Sequence, residues 1–126
     1  MIGLGSMGKR RIRNLRALGV ANVAGVDPRE DRRNEAAAKY SVPTFDGIGQ
    51  ALTEFAPSAL VISTPPDRHM DYAFVAYKYR LPSFIEASVV DAERILELHQ
   101  LTSKDGPLMA PSCTMSYFPG PRKLKE

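Results

Sequence analysis

The sequence predicts an α/β fold built on a doubly wound, mostly parallel sheet. Three observations carry that expectation. Short β-branched runs alternate with stretches of helical periodicity along the 126 residues. The connections between them are short, which suits strands covered by helices on both faces. The chain also opens with Gly3, Gly5 and Gly8 in the spacing G-x-G-x-x-G, directly ahead of a helical pattern.

Taken in order, "KRRIRNLRALG" carries Ile12, Leu15 and Leu18 at helical spacing, with Gly19 as a C′ residue. "NVAGVD" reads as a short buried strand, "REDRRNEAAAKY" as a polar helix, "VPTF" as a short strand and "DGIGQALTEF" as a short helix. The clearest strand is "ALVIST", closed by Pro65 and Pro66. Met70, Ala73, Phe74 and Tyr77 recur at i, i+3, i+4 and i+7, as in a helix facing a sheet. "PSFIEA" is the next strand, and "DAERILELHQLTSKDG" the next helix. "LMAPSCTMSYF" is expected to be extended, although Pro111 fits a central strand poorly.

Composition sets the class. Hydrophobic residues make up 44% and charged residues 25%, the balance of a soluble globular domain. No apolar run approaches the ~18 residues of a membrane span, so no membrane partner is expected. The only cysteine is Cys113, which rules out an internal disulfide and suggests a reducing, cytoplasmic setting. The net charge of +3 is concentrated near Lys9, Arg10, Arg13 and Arg16, which share one arc of a helix. A solvated helix face explains that arc. No aromatic residue interleaves with it, and nucleic acid is not an expected partner.

In a strand–loop–helix turn, one glycine permits the tight turn, one lets the backbone approach a pyrophosphate, and one lets helix pack on strand. The amides that open the helix, from Ser6 and Met7 onward, then point at an anion. Asp27 closes the following strand 19 positions after Gly8, near the ~20 expected for the acid that binds an adenosine ribose. Its other reading is a helix N-cap or turn residue ahead of Pro28. A carboxylate there favours NAD over NADP, but the Arg29 guanidinium could pair with a 2′-phosphate, so NADP stays possible.

With these residues and "VISTPPDRH" in view, the chain resembles the N-terminal NAD(P)-binding domain of the Gfo/Idh/MocA oxidoreductases, a Rossmann-like fold. Its most specific part is Thr64-Pro65-Pro66 followed by His69. The resemblance implies that this loop borders the ribose and nicotinamide side of the dinucleotide. Gly3, Gly5, Ser6, Met7 and Gly8 would then hold the pyrophosphate, Asp27 and Arg29 the adenosine ribose, and Thr64, Pro65, Pro66, His69 and Glu86 the nicotinamide side. His69 could instead be a surface helix residue, and Glu86 an N-cap for the helix near Asp91. The family's strand ends in Glu-Lys-Pro, whereas here it ends in Glu86-Ala87-Ser88. Ala87 has no proton to give, and loss of a positioned acid or base typically costs ~10²–10⁴-fold in rate. Thr114 and Ser116 stand where the family often has an Asn and an Arg.

The function this implies is hydride transfer at a hydroxyl-bearing carbon of a sugar-like or cyclitol substrate, with NAD (or NADP) as cofactor. The alternative is a non-catalytic dinucleotide-binding module. A different nucleotide-binding relative, such as a methyltransferase, is a weaker reading that the Thr-Pro-Pro loop opposes. No catalytic residue is assigned, and no metal site is expected. Residues 1–118 are expected to form the dinucleotide-binding domain. Residues 119–126 would begin the crossover into a second αβ domain that binds the substrate and is missing here. Assembly into a homo-oligomer is possible. The first strand is cut to Met1 and Ile2 ahead of Gly3, whereas strands usually run to ~5–6 residues. That suggests a fragment in which Met1 lies inside a longer strand.

Overall fold

The computed structural model describes residues 1–87 and 90–112. Its elements follow the expected alternation. They are α1 (Ser6–Ala17), β1 (Gly25–Val26), α2 (Glu30–Tyr40), β2 (Thr44–Phe45), α3 (Ile48–Glu54), β3 (Leu60–Ile62), α4 (His69–Lys78), β4 (Ser83–Ile85), α5 (Ala92–Asp105) and β5 (Met109–Pro111). A 3₁₀ turn, Pro66–Arg68, leads into α4. Among the described residues, no helix is long and apolar enough to cross a membrane.

Every strand pair is parallel. Ile2 joins the two halves of the sheet, bridging Val26 on one side and Ile62 on the other. The lateral order is therefore β2–β1–Ile2–β3–β4–β5. The chain starts at the centre, winds outward through β1 and β2, then returns to wind the other way through β3, β4 and β5. That reversal makes the carboxyl end of the Ile2 position a topological switch point, where open α/β sheets bind ligands.

Side-chain alternation along the strands fills both faces. Leu4, Ile12, Val23, Ala36 and Val42 pack under α1 and α2. Ala24, Val26, Phe45 and Ala51 pack with α3. Ile2, Leu60, Ile62, Met70, Ala73, Ala76, Ile85 and Leu98 form the core beneath α4 and α5. Ile48 of α3 touches both of these last two clusters, so α3 shares their face of the sheet.

Local signals explain the element ends. Gly19 has φ +84°, and the Val20 N–H reaches back to the Leu15 carbonyl, closing α1 as the sequence suggests. Asp91 caps α5, its carboxylate accepting the Arg94 N–H, which leaves no capping role for Glu86. Pro111 ends β5, and Ser112 rather than the proline donates to the Ile85 carbonyl. A proline nitrogen turned away from the ladder costs no hydrogen bond. The basic arc of α1 is mostly solvated: Arg10, Arg13 and Arg16 are exposed, while Lys9 pairs with Glu35 of α2; Arg11, off that arc, pairs with Glu86.

The short central strand leaves a mark. Ile2 donates to Val61 O, and Ser63 donates to Ile2 O, both at 2.8 Å. Val26 donates to Met1 O, also at 2.8 Å. The Met1 ammonium donates to Ala24 O at 2.8 Å. Ahead of Met1 lies a slot of about 330 Å³ between the β1 and β3 sides, walled by Leu15, Val23, Ala24, Phe55 and Val61. Strand alternation turns the Ala24 and Val61 amides toward it. Burial lowers the Met1 amine from 8.0 to about 6.

Candidate functional site

The glycine loop runs from the carboxyl end of Ile2 into α1, and its glycines have separable jobs. Gly3 has φ +87°, and a Cβ there would stand 2.6 Å from the Ser63 carbonyl oxygen. A Cβ at Gly8 would overlap the Gly3 carbonyl, standing 2.8 Å from its carbon. These two glycines let loop, helix and β3 pack. Gly5 is different: a Cβ there would meet only the Arg32 guanidinium, at 3.7 Å. The protein does not crowd Gly5, and its backbone is open to a cleft at the carboxyl ends of the strands.

Gly5 is also the N-cap of α1 and supplies no side-chain bond to the helix start. The first intrahelical bond runs from Lys9 N–H to Gly5 O. The amides of Ser6, Met7 and Gly8 consequently lack helical acceptors. No acidic residue stands in the first turn to offset the positive end of the dipole.

Asp27 follows β1 and is 3% exposed. Its Oδ2 accepts the Leu4 N–H at 2.8 Å, which ties the glycine loop to the end of β1. Its Oδ1 accepts the Arg29 N–H at 2.9 Å. The turn-residue reading of Asp27 is thus met, but the N-cap reading is not: the cap of α2 is Arg29, with no side-chain bond. Three arginines surround this carboxylate. Arg29 pairs with Asp31 at the surface. Arg33 donates to the Asp27 and Pro28 carbonyls, both at 2.9 Å. Arg32 brings Nη1 to 3.5 Å from Asp27 Oδ2.

Opposite the glycine loop, β3 runs on into the turn Ser63, Thr64 and Pro65. These residues share with Gly3, Gly5, Ser6, Met7, Asp27, Arg29 and Arg32 a cleft of about 490 Å³ at the carboxyl ends of the strands. The Ser63 and Thr64 hydroxyl oxygens are buried and have no hydrogen-bond partner among the described residues. Buried hydroxyls without partners are costly, and among the described residues this turn lacks a polar partner for both side chains. The free amides and the bare Gly5 backbone together suit a phosphate-bearing ligand.

Gly8, Pro66, His69 and Glu86, four of the assigned residues, do not line this cleft. His69 is neither a surface residue nor on the cleft wall. It is 1% exposed, and its Nε2 lies 2.8 Å from the Thr64 carbonyl oxygen. Being the first residue of α4, it turns inward and holds the Thr64 backbone from behind. Glu86 is engaged by Arg11, with Nε at 3.0 Å and Nη2 at 2.9 Å from Oε2. Arg11 also lies over the Phe84 ring, 5.0 Å from its centroid. Glu86 thus clasps α1 to the end of β4. Pro66 opens the 3₁₀ turn and shapes the loop behind Pro65. Ala87 is exposed. Ser88, Cys113, Thr114, Ser116 and residues 119–126 lie outside the described residues.

Arg32, Ser63, Arg68 and Tyr72 also line the cleft, and sequence reasoning does not single them out. Ser63 and Arg68 flank assigned positions. Arg32 is hidden because a charge in the first turns of a polar helix reads as solvated surface.

Comparison with known proteins gives the same picture. The Gfo/Idh/MocA model, described as an oxidoreductase family with an NAD-binding Rossmann fold, matches residues 1–108. None of the curated proteins matches by sequence. Among solved structures, myo-inositol 2-dehydrogenase from Lactobacillus plantarum is 22% identical with a TM-score of 0.85, over 98% of this chain and 38% of that one. UDP-N-acetylglucosamine 3-dehydrogenase from Acidithiobacillus ferrooxidans is 24% identical with a TM-score of 0.82, over 98% and 39%. KijD10, a 3-ketoreductase from Actinomadura kijaniata solved with NADP and TDP-benzene, is 18% identical with a TM-score of 0.82, over 98% and 39%. The chain therefore spans under two fifths of the length of each of these structures.

Proposed function

The chain belongs to the Gfo/Idh/MocA oxidoreductase family, with its NAD-binding Rossmann fold, and from that premise we propose that it holds the cofactor for hydride transfer to or from a sugar-like or cyclitol carbon. The observation that carries this reading is the convergence of the glycine loop, Asp27 and the Ser63–Pro65 turn on one cleft. Two of the solved relatives named above act, by their names, on a cyclitol and on a sugar nucleotide. We assign residues 1–118 to the cofactor domain and 119–126 to the start of a crossover toward a substrate-binding part. The lone Cys113 supports a reducing, cytoplasmic setting.

When bound, the nicotinamide supplies the hydride donor or acceptor. The chain's own residues bind and orient. The amides of Ser6 and Met7 meet the diphosphate, helped by the α1 dipole, which contributes up to ~2 kcal/mol in a favourable geometry. Gly5 keeps that approach open. Asp27 and its neighbours face the adenosine ribose. Ser63, Thr64 and Pro65, which line the cleft, would border the nicotinamide side, and Pro65 and Pro66 stiffen their turn. His69 keeps that turn in place from beneath, and Glu86 fixes α1 through Arg11.

One observation favours a second reading, that of a binding module without turnover. Ala87 occupies the position where the family resemblance implies a lysine, and it carries no ionisable group. A fluorescence titration of the chain with NADH, followed by NAD reduction assays on a panel of polyols and cyclitols with the protein that carries the proposed substrate-binding part, separates the two. Saturable binding with reduction by at least one polyol is the expected result. Binding without turnover across the panel would favour the module. No binding of either dinucleotide would overturn both.

A further inference from the structure

We propose that Arg32 is the specificity-determining residue at the adenosine-ribose end of this cleft, and that it lets the site accept a 2′-phosphorylated dinucleotide alongside the unphosphorylated one. The inference rests on the functional reading above and deepens it.

A lone carboxylate at the end of β1 would hydrogen-bond a free 2′-hydroxyl and repel a 2′-phosphate. Asp27 is not such a carboxylate. Both of its oxygens are already engaged by backbone amides, Oδ2 by Leu4 and Oδ1 by Arg29. Its side chain is 4% exposed, and a guanidinium nitrogen stands 3.5 Å from Oδ2. Its charge is therefore largely answered within the protein, and its power to exclude a phosphate is weakened.

Three guanidinium groups lie nearby, and the structure distinguishes them. Arg29, adjacent to the ribose position in sequence, is committed to Asp31 through Nε and Nη2. Arg33 is committed to the Asp27 and Pro28 carbonyls. Arg32 makes only the longer approach to Asp27, and its side chain is 37% exposed. It also reaches over the bare backbone of Gly5, on the cleft wall. It is thus the cation best placed to turn from Asp27 to a phosphate oxygen on the ribose, where a planar guanidinium can bind two oxygens at once. With an unphosphorylated ribose, Arg32 keeps its place beside Asp27.

The test compares NADH and NADPH dissociation constants for the protein and its Arg32→Ala variant, at one fixed ionic strength. The unaltered protein is expected to bind the two within about 10-fold of each other. The variant is expected to lose about 10-fold or more in NADPH affinity, as removal of a charge-assisted contact implies, while NADH changes by less than about threefold. Arg29→Ala serves as the companion variant and should leave the ratio unchanged. Equal weakening toward both cofactors would assign Arg32 to the diphosphate and overturn the proposal. A ratio that moves with Arg29 rather than Arg32 would overturn it too. Failure of the unaltered protein to bind either dinucleotide would instead overturn the underlying functional reading, and this proposal with it.

Discussion

Replacing Gly8 by alanine is expected to destabilise the protein by about 4 kcal/mol or more, in the range reached only by severe single substitutions. The added methyl would overlap the Gly3 carbonyl, and neither partner is a flexible side chain that could move aside. Relief requires the glycine loop to part from α1, which also displaces Leu4 from its bond to Asp27. Gly5→Ala is the informative contrast. Its methyl meets only the tip of Arg32, and its backbone, at φ −67° and ψ −169°, is ordinary for alanine. Thermal unfolding of Gly5→Ala should match the unaltered protein, while its NADH affinity should fall about 10-fold or more, on the order of one lost charge-assisted contact. Equal thermal stability of all three proteins would contradict the packing role of Gly8. An undiminished affinity in Gly5→Ala would contradict the approach of a ligand to that backbone.

The second large effect concerns the central strand. With Met1 as the first residue, its amine is buried between β1 and β3 and titrates near 6, against 8.0 for an ordinary terminus. Burial disfavours the charged form, so the unfolded chain binds the proton more tightly. Between those two values stability rises with pH; above 8.0 no penalty remains, and below 6 it is complete. The two-unit difference corresponds to ~3 kcal/mol, or roughly 10 °C in midpoint for a domain of this size. Adding about five residues of β-branched character ahead of Met1 would fill the slot, by the usual length of a strand. It would also carry the amine out to solvent. The extended chain is expected to melt higher at pH 6 and to lose this part of the pH dependence. The difference between the two chains isolates the amine from the histidines, which both retain. Identical melting profiles at pH 6 and pH 8 for both chains would contradict the account.

Much of this was legible beforehand because it rests on local signals. The alternation of periods announces the parallel sheet, Gly19 the end of α1, and the loop spacing with Asp27 the residues that meet in one cleft. What escaped depends on contacts between residues far apart in the chain. Glu86 reads as a ligand for the cofactor, yet it meets Arg11 across 75 positions. No periodicity reports such a pair. His69 begins a helix and so reads as surface or site, but that helix starts beneath the Thr64 turn and buries the ring. Arg32 looks like one charge among several on a polar helix. Only the approach of α2 to the glycine loop distinguishes it from Arg29 and Arg33. The same limit applies to Asp27, whose position was readable while the amides that occupy its oxygens were not.

The central claim is that the amides opening α1 hold the diphosphate of a nicotinamide dinucleotide. Backbone amide shifts followed by NMR during an NADH titration test it most directly. The account predicts that the Gly5, Ser6 and Met7 amides shift together and saturate with the same affinity as Asp27 and Thr64. Saturable NADH binding that left those loop amides unmoved would place the coenzyme elsewhere and contradict it.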